Sequence, residues 1–189
     1  MGKNNIGWLA LAVLLSATPA LADSVPLDVW QQFAFETAGT PATGCNPNDP
    51  AGPFCIGSSG TLTDFAPAPP WTFSTPFGAV LTVTDAFEAG DQFEVFDFGA
   101  SIGTTTAPSG STDCGDDPAV CLATADISKG IFSLAGGSHA ITIFPVLAPT
   151  GGGTAYFLVE AAPVPEPGSW ALLASSLLAL AVARRRSRP

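Results

Sequence analysis

Carboxylates dominate the chemistry open to this chain. Asp85, Glu88, Asp91, Glu94 and Asp97 fall in one stretch, and Asp113, Asp116 and Asp117 follow after a turn-rich segment. Hard oxygen donors in that number are what calcium takes, but their spacing matches no EF-hand loop, and a solvated acidic face needs the same residues. Asp116 and Asp117 are the weak calcium candidates, because a disulfide beside them would fix their loop; no metal is assigned. Two carboxylates also serve a glycosidase, one as acid and one as nucleophile or base, yet the separation that defines such a pair is spatial. His139 is the only imidazole, so a Ser-His-Asp mechanism must use it. No Gly-x-Ser-x-Gly elbow supplies a nucleophile, and no phosphate-cradling loop or cysteine nucleophile motif is present. His139 follows Gly136-Gly137-Ser138 and opens an apolar strand, which suits a structural or solvent-facing histidine. Trp30 and Trp71 could stack on a ligand, although tryptophans in a chain this small ordinarily fill the core. The expectation is a chain with no catalytic residues and no cofactor.

Cys45, Cys55, Cys114 and Cys121 are the four cysteines. If the chain is exported, an even number reads as two disulfides, with three connectivities possible. Proximity favours Cys45 with Cys55 and Cys114 with Cys121, each closing a short Gly/Pro/Asp-rich loop. Neither pair has close zinc-ligand spacing, and His139 lies far along the chain.

The elements that must position these residues are β-strands. Gly, Pro, Ser and Thr punctuate the chain every several residues, and the short apolar stretches are rich in Phe, Val, Ile and Thr. Strands are expected at Val29–Glu36, Thr61–Phe65, Trp71–Ser74, Ala79–Asp85, Gln92–Phe98, Ile131–Leu134, His139–Val146 and Thr154–Glu160, and no helix is expected between Asp23 and Ala162. Leu81-Thr82-Val83-Thr84 and Ile141-Thr142-Ile143 alternate cleanly. In Gln92–Phe98, Phe93 and Val95 point one way while Phe96 and Phe98 point the other, so this strand is buried on both faces or carries a bulge. Thirteen phenylalanines against one tyrosine suggest a Phe-filled core rather than a sugar platform. The fold class expected is all-β: one β-sandwich, jelly-roll-like, over residues 23–162.

The two ends differ from this middle. Lys3, the apolar Ile6–Ser16 and the small-x-small Ala20-Leu21-Ala22 read as a secretory signal peptide over 1–22. At 163–189, Val164-Pro165-Glu166-Pro167 precedes the uncharged run 168–183 and the cluster Arg184, Arg185, Arg186 and Arg188. The prolines are expected to hold the motif extended, the run reads as a short transmembrane helix, and the arginines read as a cytoplasmic stop that leaves the domain outside. From Asp23 to Pro165 fifteen acids face Lys129 alone, a formal balance of −14 against −10 for the whole chain. Nucleic acid is a poor partner for such a surface.

The sequence Val164-Pro165-Glu166-Pro167, with its short span and terminal arginines, resembles the PEP-CTERM sorting signal of Gram-negative bacteria. The resemblance implies an exosortase-type membrane processing enzyme as partner, transient anchoring in the inner membrane, removal of the tail, and delivery to the cell surface or an exopolysaccharide matrix. It carries nothing catalytic, since that family shares its tail and not its ectodomains. Leu81 to Val159 also resembles a β-sandwich module of secreted bacterial and fungal proteins, through Thr84-Asp85-Ala86-Phe87, Gly90-Asp91-Gln92-Phe93-Glu94-Val95-Phe96-Asp97, Cys114-Gly115-Asp116-Asp117 and Gly137-Ser138-His139-Ala140-Ile141-Thr142-Ile143. That resemblance implies the fold and the second disulfide and leaves function open.

The reading that follows is a non-enzymatic surface or biofilm-matrix protein, exported by the Sec translocon, with exopolysaccharide as a further partner. A carbohydrate-binding module is the alternative, which a strip of exposed aromatic residues would favour. A secreted hydrolase comes third, favoured by a buried carboxylate pair in a pocket or by a serine near His139 with an acid behind it.

Overall fold

Alternating apolar residues build two facing sheets. The computed structural model describes residues 24–45 and 55–163. The leader 1–22, the motif residues Val164, Pro165, Glu166 and Pro167, the run 168–183 and the arginines at 184, 185, 186 and 188 lie outside the described residues. Among the described residues no helix is long and apolar enough to cross a membrane.

The strands are β1 (Trp30–Phe35), β2 (Thr43–Gly44), β3 (Thr63–Phe65), β4 (Trp71–Thr75), β5 (Ala79–Asp85), β6 (Gln92–Asp97), β7 (Ala100–Thr104), β8 (Lys129–Leu134), β9 (Gly137–Leu147) and β10 (Gly153–Ala161). One sheet runs β2-β1-β10-β5-β8 with β3 beside β1, and the other runs β4-β9-β6-β7. With the short β2 and β3 set aside, this is the strand order of a double-sheet jelly roll. Phe33 and Phe35 of the first sheet meet Trp71 and Phe93 of the second, with Phe35 and Phe93 rings 5.0 Å apart and Trp71 and Phe157 rings 4.8 Å apart. Phenylalanine and tryptophan thus form the centre of the core, and Trp30 and Trp71 are both buried.

The structure differs from the expected elements in three places. A helix, α1 (Pro118–Ala123), does form; Asp117 caps it and Pro118 opens it. Six residues are too few to display a helical period. The strand β7 is largely exposed and shows no apolar alternation, so only its pairing with β6 defines it. Thr43–Gly44, within a stretch of loop composition, pairs with β1. The open question over Gln92–Phe98 resolves as bulges: register shifts at Gln92/Phe93 against β9 and at Val95/Phe96 against β7.

Both local disulfides are present, Cys45–Cys55 and Cys114–Cys121. The second fixes the segment that crosses the outer face of the larger sheet, where Leu122 and Phe87 pack on Trp30 and Tyr156. That cover buries the outward-facing Trp30 and Gln32, while Gln31 faces inward with Phe33 and Phe35, so every residue of β1 is buried. Gln32 donates to the Tyr156 hydroxyl at 3.1 Å, and Tyr156 donates to the Asp116 carbonyl at 2.7 Å. Burial, and secondarily the Asp116 charge, push the Tyr156 hydroxyl up to about 12.

Candidate functional site

Asp85 ends β5 with its carboxylate fully buried. Its Oδ1 accepts from the Ala86 amide at 2.9 Å and its Oδ2 from the Asp91 amide at 3.1 Å, so one side chain closes the connection to β6. The other side of that connection is pinned by backbone bonds from Phe87 to Gly115, Cys114 to Phe87 and Ala89 to Thr112, each 2.8–2.9 Å. Phe87 adopts φ 57°, a left-handed backbone uncommon for a bulky residue. The Cys114–Cys121 bridge therefore holds a loop that in turn holds Asp85 and Asp91.

Asp91 is buried as well, and its Oδ1 finds no hydrogen-bond partner among the described residues. Burial, with the neighbouring Asp91 charge second, pushes Asp85 up to about 7, and burial pushes Asp91 up to about 6. Among the described residues no cation relieves the pair: Lys129 donates its Nζ to the carbonyls of Leu122 and Thr124 at 2.7 and 2.8 Å. Asp91 and Glu88 stand on the wall of a cleft of about 240 Å³ bounded by Pro149 and Thr150. A wider cleft of about 590 Å³, lined by Phe35, Glu36, Ile56 and Phe87, shares the Gly152–Thr154 wall. Asp85 sits behind this surface rather than on it.

The sequence candidates separate. Asp97 does lie behind His139, 2.7 Å from its Nδ1, but Nε2 is engaged by the Ala135 carbonyl at 2.9 Å rather than by a serine. A carboxylate and a carbonyl both accept, so both bonds form only when both ring nitrogens carry hydrogen. The ring ties the hairpin after β6 to the turn after β8 instead of activating a nucleophile. Asp116 accepts from the Ser59 amide and hydroxyl at 3.1 and 2.6 Å, fastening residues 58–60 to the disulfide loop. Asp117 accepts from the Ala119 amide at 3.0 Å, and its carboxyl is held below the usual range first by the Thr61 hydroxyl. Among the described residues no three His, Cys, Asp or Glu side chains converge as a metal group. On the outer face of the smaller sheet, Phe96 and Phe144 make an edge-to-face pair at 5.3 Å, both half-buried.

Sequence reasoning missed the Asp85–Asp91 pair. Its signal was present, since two acids bracket a five-residue connection that ends in glycine, but burial of both depends on the distant 112–115 segment.

The last strand fixes where the domain stops. The Ala162 amide donates to the Gly78 carbonyl at 2.8 Å, and Pro163 follows at once. A two-sheet, disulfide-bonded domain thus runs directly into the carboxyl-terminal tail. Residues 163–186 match the family model of the PEP-CTERM protein-sorting motif. The tail therefore carries a PEP-CTERM sorting motif, which supports exosortase-dependent sorting of an exported protein that passes by way of the membrane. No curated protein and no solved structure is significantly similar to it.

Proposed function

We propose that the exported domain is a non-enzymatic structural protein of the cell surface or of an exopolysaccharide matrix. The observation that carries this reading is the position of the sorting motif, which starts one residue after the last sheet hydrogen bond. A processing enzyme cutting there releases a complete sandwich and nothing else. The engagement of Asp116, Asp117 and His139 in holding loops also supports a role in architecture. Mass spectrometry of cell and extracellular-matrix fractions tests it. A form starting at Asp23 and ending near Pro165, enriched in the matrix, is expected; Arg184–Arg188 retained in every fraction would leave a membrane-anchored protein instead.

A carbohydrate-binding module is the second reading, favoured by the 590 Å³ cleft with Phe35, Phe87 and Ile56 on its wall. A hydrolase draws only on Glu88 and Asp91 on the smaller cleft. Glycan-array binding by the secreted protein, lost in Phe87→Ala, supports the module; sugar release abolished by Asp91→Asn supports the hydrolase.

A further inference from the structure

Two phenylalanines are exposed among the described residues, Phe77 at 52% and Phe98 at 69%. Both sit at the pole from which the tail leaves. Phe77 lies in the turn between β4 and β5, next to Gly78, whose carbonyl accepts from Ala162. Phe98 lies in the two-residue hairpin between β6 and β7, and its amide donates to Ala140 at 3.0 Å. His139 links the turns, since it binds Asp97, beside Phe98, and Ala135, in the turn that packs on Pro76 and Gly78.

Phe98 is also the wrong residue for its backbone. Phe98 and Gly99 have φ 48° and 79°. A hairpin with two left-handed residues favours Asn, Asp or Gly at the first position, and a bulky aromatic there is strained and, at this tip, solvated. A local rule broken without a local gain points to function.

The chain beyond the domain limits what this pole can meet. Five residues, 163–167, separate Ala162 from the apolar run, and three of them are proline. Fully extended they reach about 15–18 Å, and a headgroup layer takes up about 5–7 Å of that. The pole is therefore confined to within roughly 10 Å of the headgroups. The Asp91 cleft lies at the other end of β10, about 26 Å away along the strand. Glu36, Glu88, Asp91, Asp113 and Asp126 stand at the far end, and Asp28, Asp97 and Glu160 stand near the pole of the tail.

We propose that the pole carrying Phe77 and Phe98 is a membrane-contact surface, which seats the folded sandwich on the lipid bilayer that its own tail spans, before the tail is removed. The proposal rests on reading residues 168–183 as a span. Phenylalanine at turn tips suits shallow burial at the headgroup boundary, and Asp97, the acid beside Phe98, is engaged by His139.

The test uses the full chain in zwitterionic phospholipid vesicles with and without brominated acyl chains. Phe98→Trp and, in α1 on the outer face of the larger sheet, Val120→Trp each add one indole to the unsubstituted chain. The added Phe98→Trp emission is expected to shift blue and lose most of its intensity in brominated vesicles, while the added Val120→Trp emission keeps it. Phe98→Asn suits the hairpin better, so it should fold at least as well and leave a Phe77→Trp probe at least twofold less quenched. If the chain floats with the vesicles and the Phe98→Trp emission is unquenched, the contact surface is overturned and the span stands. If the chain does not float with the vesicles, the span and the contact surface fall together. A blue shift that grows with protein concentration in lipid-free detergent solution overturns the proposal in favour of a second copy of the chain.

Discussion

Asp91 and Asp85 share one buried site but differ in what holds them. Asp85 receives two backbone amides, whereas Asp91 Oδ1 receives none. Both carboxyls are raised from 3.8, to about 7 and about 6. The native state therefore binds more protons than the unfolded chain between about pH 4 and 7, and stability falls as pH rises through that window. Thermal unfolding should show a higher midpoint at pH 5 than at pH 8. Asp91→Asn removes one charge without stranding a donor pair, so it should raise the pH 8 midpoint by several degrees and flatten the profile, at about 3–5 °C per kcal/mol for a domain this size. A profile that is already flat, or that rises with pH, would sink this account. Asp85→Asn should instead destabilise at every pH, because its amide group meets backbone donors on both sides.

The segment between β7 and β8 does more for the site than its composition suggested. It carries α1 and the Cys114–Cys121 bridge, and it clamps the 86–90 loop through the bonds of Phe87 and Ala89. Replacing both cysteines by serine should cost about 2–3 kcal/mol from the short loop alone. It should also raise amide exchange in Phe87 and Ala89, whose amides donate to the carbonyls of Gly115 and Thr112 in the bridged segment; unchanged exchange there would refute the clamp. The strands themselves were legible from sequence wherever one face met the core, as in Ala79–Asp85 and His139–Val146, because alternation records burial directly. β1 was located but not understood: Gln32, on its outer face, is buried by a segment nearly ninety residues away, and no local pattern records that. The helix α1 and the strand β7 escaped for the opposite reason, being too short or too exposed to leave a period. The disulfides followed from proximity, while the roles of Asp116 and Asp117 as fasteners depended on where Ser59 and Thr61 fold back.

For the molecule as a whole, charge and topology both depend on the tail. The full chain carries −10 and the stretch from Asp23 to Pro165 carries −14, so processing should delay elution on anion exchange and lower the isoelectric point. An extracellular form that co-elutes with the full chain would contradict removal of the arginines. Strand β10 has a further consequence. It is the last strand among the described residues, yet it lies between β1 and β5 in the middle of the larger sheet, pairing with both along its length. Export delivers it last, so until then β1 and β5 have no partner on their inner edges, and the sheet closes only as the sorting signal itself arrives. A chain cut short by a premature stop before Gly153 loses that closing strand together with its address label. Completeness of synthesis, closure of the fold and eligibility for sorting are thereby checked by a single event.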